Sequence, residues 1–199
     1  QVAYRSKDAA ERAEALKDLI AGVDRATHLC SQLLLLARLD PEAADSAYHA
    51  ASLRDAVVQA IADKEAAGAA KSLDLTCTLP DHDPGVVAVE PSALGVLVGN
   101  LLDNAIKYTP PGGHVRVSVV PNGDRTVLQV TDTGPGIPAA DRPRVLQRFY
   151  RVNGTSVPGA GLGLSIVQHI CELYRAELAL LNGDDGQGLC VEIAFRSAA

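Results

Sequence analysis

No apolar run in this chain approaches the roughly 20 residues that span a bilayer. The longest aliphatic stretch is Leu33 to Ala37, and the opening QVAYRSKDAA lacks the apolar core of a secretory signal. A soluble, cytoplasmic chain is therefore expected. Positive charge is also short: 18 Lys and Arg stand against 24 Asp and Glu, a formal net charge of -6. That balance argues against duplex nucleic acid or an anionic membrane as the main partner. The four cysteines, Cys30, Cys77, Cys171 and Cys190, form no C-x-x-C pair and have no histidine at metal spacing. They are expected as reduced, buried thiols. Methionine is absent altogether, position 1 included, so a piece of a longer protein is expected. What the chain does have is apolar mass. At 47% hydrophobic and 21% charged over 199 residues it can bury a real core, which excludes wholesale disorder.

The first segment, to Pro41, places Leu16, Ile20, Val23, Thr27, Cys30, Leu34 and Ala37 at alternating steps of four and three. That spacing lays one seam along a helix, as in a coiled coil or helical bundle. Pro41 ends it, because its ring disfavours helical geometry in the residue before. Residues 42–51 are small and polar and read as a linker. From Ser52, a plausible N-cap, the pattern turns mixed. The spacing predicts a helix to about Lys71, strands at Leu73 to Leu79 and Val86 to Val89 joined by a turn, and a helix opened by Pro91. Strands at Val115 to Val120 and Thr126 to Thr131 follow, then a Gly/Pro-rich stretch and a helix from Gly161 to Tyr174. Strands at Glu177 to Leu181 and Leu189 to Phe195 close the chain. This order suits helices layered on one mixed sheet, a two-layer α/β sandwich of the α+β class, better than a doubly wound fold.

Three runs could carry chemistry. In the helix holding NLLDNAIKYTP, the apolar residues Leu94, Leu97, Val98, Leu101, Leu102, Ala105 and Ile106 commit one side to the core. Asn100 and Asn104, one turn apart, then fall together with Lys107. Asn is a poor residue in a helix interior. The stripe is either an ordinary wet face or a set of amides and a cation kept for Mg²⁺ and phosphate. In DTGPGIP, Asp132 ends a strand beside Gly134 and Gly136; it could cap the turn or accept from an exocyclic amino group such as adenine's. Gly134, Gly136 and Ala139 also spell a dinucleotide fingerprint, but the acidic strand end it requires about 20 residues later is replaced by VNGTSVPGAG. In GAGLGLSIV, Gly159, Gly161 and Gly163 open a helix; such glycines make a turn or leave backbone amides to cradle phosphate. No P-loop exists. RFYR and the polar segment after it have the composition of a mobile lid.

In order and spacing, NLLDNAIKYTP, DTGPGIP, RFYR and GAGLGLSIV resemble the N, G1, F and G2 boxes of the GHKL (Bergerat-type) ATP-binding domain of bacterial sensor histidine kinases. The likeness covers Ser52 to Arg196, and SQLLLLARLDPE resembles the second helix of the same family's dimerisation and phosphotransfer hairpin. The resemblance implies part of that hairpin at residues 1–41, a linker at 42–51 and a catalytic ATP-binding domain at 52–199. It implies ATP and Mg²⁺ as cofactors, with Asn100 ligating the metal and Asn104, Lys107 and Tyr108 lining phosphates and sugar. Asp132 would bind the adenine amino group, with Gly134, Gly136 and Ile137 beside the ring. Arg151 would reach the terminal phosphate, and Phe149, Gly159, Gly161, Leu162, Gly163 and Leu164 would form the lid hinge and phosphate cradle. Catalysis would rest on Asn100, Lys107 and Arg151. The implied partners are a response regulator receiver domain and a second copy through the N-terminal helix, with membrane contact only through upstream segments of a parent anchored in the inner membrane.

Departures are equally specific. The family's H-E-[LF]-R-[ST]-P acceptor run is missing, and His28, His49, His82, His114 and His169 read as solvated or capping side chains. The acceptor histidine is therefore expected upstream. Val96 stands where some relatives are polar, Leu146 replaces an aromatic, and Tyr174, Arg175 and Ala176 replace His-Gly-Gly. Two alternatives remain: another GHKL-type ATPase, or a non-catalytic dimerisation module with a relic pocket.

Overall fold

The computed structural model describes residues 22, 50–80, 86–152 and 160–197. The chain divides into two compact units, Gln1–Asp40 and Pro41–Ala199. The heptad segment with His28 and Cys30, the linker through His49, the turn holding His82, and Gly159 with the polar run before it lie outside the described residues. The second unit is described below.

A two-residue strand, β1 (Ala51–Ser52), leads into helix α1 (Leu53–Ala70), which starts where Ser52 Oγ accepts from the Asp55 N–H at 3.1 Å. Leu53, Val57 and Ala60 are its buried apolar side. Strands β2 (Asp74–Thr78) and β3 (Val86–Val87) follow, then helix α2 (Pro91–Tyr108). Pro91 occupies the first turn, where its missing N–H costs nothing, and the Glu90 carboxylate accepts from the N–H groups of Ser92 and Ala93. Thr109 is extended and two prolines follow, so α2 stops there.

Strands β4 (His114–Asn122) and β5 (Arg125–Asp132) form a hairpin through Gly123. After a short helix α3 (Arg142–Val145) come α4 (Gly163–Leu173), β6 (Glu177–Asn182) and β7 (Leu189–Arg196). The sheet order is β2-β4-β5-β7-β6, with β2 parallel to β4 and the other pairs antiparallel. Alternation puts Val115, Val117 and Val119 of β4, Leu128 and Val130 of β5, and Val191, Ile193 and Phe195 of β7 on one buried face. The helices cover that face, with α2 packed between α1 and α4. The other face carries a polar ladder in which Ser118 donates to Gln129 at 3.3 Å and Gln129 to Glu192 at 2.8 Å. This is the two-layer sandwich that the element order predicts.

The strands on either side of the first turn do not pair with each other: β3 joins β1 in a two-stranded antiparallel sheet, while β2 lies parallel to β4. A loop between two strands does not specify their partners; register and hydrophobic facing do. Cys77 is exposed, because β2 is a sheet edge, whereas Cys171 and Cys190 are buried free thiols as expected. Burial pushes the Cys171 thiol up to about 12, which leaves it an unreactive core residue.

Candidate functional site

The polar side of α2 is not a wet face. Asn100 is only 6% exposed, its Nδ2 donating to the Val96 carbonyl at 2.8 Å, one turn back. Its Oδ1 faces the mouth of α4: a Cβ placed on Gly163 would stand 3.3 Å from that oxygen and 3.0 and 3.2 Å from the Asn104 amide atoms. A glycine at the start of α4 is thus what lets two carboxamides approach a helix N-terminus, whose first N–H groups lack intrahelical partners. Leu162, directly before that helix, is buried, and Leu164 is half-buried.

Eight residues beyond Asn100, about 12 Å along the helix, Tyr108 turns its carbonyl toward the loop after β5. A Cβ on Gly134 would meet that oxygen at 2.9 Å and Asp132 Oδ1 at 2.8 Å. Asp132 shares the alternation of Leu128 and Val130, so it is a carboxylate on the apolar, helix-covered face and is 6% exposed. Burial raises its pKa above the ordinary carboxylate value, opposed by the N–H groups of Gly134, at 2.8 Å, and Leu189. Both the stripe on α2 and the Asp132 loop therefore lie along one helix, with Asn100 at its middle, Asn104 one turn further on and Tyr108 at its C-terminal end. Lys107 sits beside this end, its ammonium 5.0 Å from the Tyr108 ring centroid.

The remaining predicted residues divide. Arg151 packs its side chain against Gly161, where a Cβ would be 3.2 Å from Arg151 Cγ. Gly161 has φ +71°, and the same Cβ would strike Tyr150 O at 2.7 Å and Phe149 C at 2.9 Å. Only glycine fits there. Phe149 meets this glycine through its backbone, its N–H donating to Gly161 O at 2.9 Å, while the residue is 71% exposed. Gly136 lies against the Gly188 carbonyl, and the Ile137 carbonyl accepts from Arg142 at 3.2 Å.

Three supports were not legible in the motifs. Gly188, at φ +75°, lies so close to the Asp132 backbone that a Cβ would come within 1.7 Å of its carbonyl oxygen. The run GDDGQG between β6 and β7 thus backs the buried carboxylate; its glycine density was the available signal. Arg142 pins the loop at Ile137 to the edge strand, donating to Leu180 O at 3.0 Å and to Asn182 Oδ1. Lys71 donates to three carbonyls at the end of α2. A cavity of about 170 Å³ between Val89, Tyr174 and Phe195 lies at the opposite end of α4 from Gly163 and gathers none of these groups.

Residues 89–199 match the family model of the histidine kinase-, DNA gyrase B- and HSP90-like ATPases, more than half of the chain. The chain belongs to that family. Its relatives there are sensor kinases: it is 37% identical to the sensor protein kinase PmrB of Pseudomonas aeruginosa over 194 residues, covering 97% of this chain and 40% of PmrB. The solved cytoplasmic segment of histidine kinase QseC is 30% identical, with a TM-score of 0.59 over 88% of this chain and 95% of that segment. The mycobacterial sensor histidine kinase MprB is 28% identical, with a TM-score of 0.64 over 76% of this chain and all of that structure. This is the ATP-binding catalytic domain of a sensor histidine kinase, on the fold of the GHKL ATPases. The chain spans about 40% of the length of the curated relatives it matches.

Proposed function

We propose that this domain lays Mg²⁺-bound ATP along α2, with adenine at the Asp132 end and the phosphates at the mouth of α4, and serves transfer of the terminal phosphoryl group to a histidine. The observation that carries this reading is the buried Asn100 amide held with Asn104 against Gly163, on the helix whose far end meets the Asp132 loop. The Asp132 carboxyl group accepts from the adenine amino group; a purine without that donor would leave this buried acceptor with its backbone partners alone. Lys107 and Arg151 offset phosphate charge, and the free N–H groups at the start of α4 receive phosphate oxygens.

The donor chemistry fits magnesium. Among the described residues no cluster of three His, Cys, Asp or Glu could hold a metal alone, and Mg²⁺ on nucleotides keeps few protein ligands besides phosphate oxygens and water. Asn100 would hold it, and the bound ion supplies charge neutralisation on the phosphate chain. In the reaction the bond from the bridging oxygen to the terminal phosphorus breaks, a nitrogen–phosphorus bond forms on the histidine, and ADP leaves.

In the same reading residues 1–41 belong to the dimerisation and phosphotransfer hairpin, 42–51 link it, and 52–199 are the catalytic domain. A second copy and a response regulator aspartate are the partners. None of the five histidines stands in the family's acceptor run, so the acceptor is a histidine outside this chain, and the membrane anchor of the parent lies outside it too. No helix among the described residues is long and apolar enough to cross a membrane. Titration calorimetry tests the reading: heat with ATP and Mg²⁺, reduced by chelator, is expected, and no heat would reduce the site to a relic. Radiolabelled ATP is expected to leave no stable phosphohistidine on the chain; its appearance would show the acceptor is misassigned.

A further inference from the structure

Lys71 follows α1 directly, outside every run that points to the nucleotide. Its ammonium has three N–H donors, and they go to the carbonyls of Ile106 at 2.8 Å, Lys107 at 2.9 Å and Thr109 at 2.8 Å. These belong to the end of α2, where the last carbonyls of a helix lack partners and carry partial negative charge. Pro110 and Pro111 come next and cannot continue the helix, and the local hold on this turn is Thr109, whose N–H and Oγ1 both donate to the Ala105 carbonyl, leaving the carbonyls of Ile106, Lys107 and Thr109 to Lys71. The carbonyl skipped in the run from Ile106 to Thr109 is that of Tyr108, which faces Gly134. The backbone of Lys71 holds the loop after that turn, its carbonyl accepting from the Gly112 N–H at 3.2 Å.

We infer that Lys71 is a positioning residue for the nucleotide: by gripping three carbonyls it fixes the rotation of the last turn of α2, presenting the Lys107 and Tyr108 side chains along the site and the Tyr108 carbonyl to the purine loop. It also sets a positive charge against the negative end of α2, the end at which the purine would lie. The inference rests on the nucleotide reading of α2. Lys64, which pairs with Asp103 at 2.6 Å and ties the same two helices together elsewhere, provides the contrast.

The test compares Mg·ATP dissociation constants of the full chain, Lys71→Met, Lys71→Arg and Lys64→Met, at a temperature where circular dichroism shows each folded. Lys71→Met is expected to bind about tenfold more weakly, Lys71→Arg to recover most of the loss, and Lys64→Met to bind as the unaltered chain does. Amide exchange without nucleotide should quicken at Lys107 and Tyr108 in Lys71→Met and not at Asn100. Unchanged affinity in Lys71→Met, or an equal loss in Lys64→Met, overturns the inference while the nucleotide reading stands. An unaltered chain that binds no ATP overturns both.

Discussion

Asp132 concentrates the cost and the use of this site in one side chain. Its two backbone donors do not cancel the desolvation that raises its pKa above the ordinary 3.8. A carboxyl whose folded pKa is raised holds its proton more tightly folded than unfolded. Its stabilising contribution is complete below the unfolded pKa and is lost as pH rises through the folded value. Asp132→Asn is therefore expected to gain stability relative to the unaltered chain as pH rises above the ordinary carboxyl value of 3.8, read as the difference in thermal midpoint. The same change should weaken ATP binding by about tenfold to a hundredfold, since one charged acceptor is replaced by a half-donor amide. A variant both less stable at neutral pH and unaltered in affinity would contradict the assignment. The residue type was legible from the strand end and the glycines after it. Its burial was not, because that depends on which face of β5 the helices cover.

The element that organises the site is α2, and its pairing with α4 gives a separable prediction. Gly163→Ala adds a methyl group at a position that favours helix by up to about 1 kcal/mol, but the new Cβ would crowd the amides of Asn104 and Asn100 at 3.0 to 3.3 Å. The thermal midpoint is expected to hold or rise while ATP affinity falls, the reverse of an ordinary packing defect. Calorimetry and a melting curve on one sample decide it. At this scale the helices were readable: the apolar positions of α2 and the prolines at both its ends fix its bounds. α3 was not, because four residues carry no period, and neither was the partner of β3.

For the whole molecule, binding must appear as stability. The compact unit Pro41–Ala199 should gain about 2.7 kcal/mol at a ligand concentration of about a hundred times Kd. For a unit of this size that raises the thermal midpoint by about 5 to 10 °C. The rise is expected with ATP and Mg²⁺ together, to shrink with chelator, and to fall to about half or less in Asp132→Asn. A midpoint that ignores nucleotide would mean that the groups gathered along α2 do not act as one site.

Local order was written in the sequence: helix spacing, strand alternation, prolines and glycines, and the four runs whose order marks the family. These depend on residues within a turn or two of each other, so periodicity and backbone stereochemistry suffice to read them. Only the tertiary structure decided that Asn100 is buried, that Gly188 backs Asp132, and that Lys71 grips carbonyls 35 to 38 residues away. Such contacts are set by strand register and by how helices seat on the sheet, and no local spacing encodes those distances.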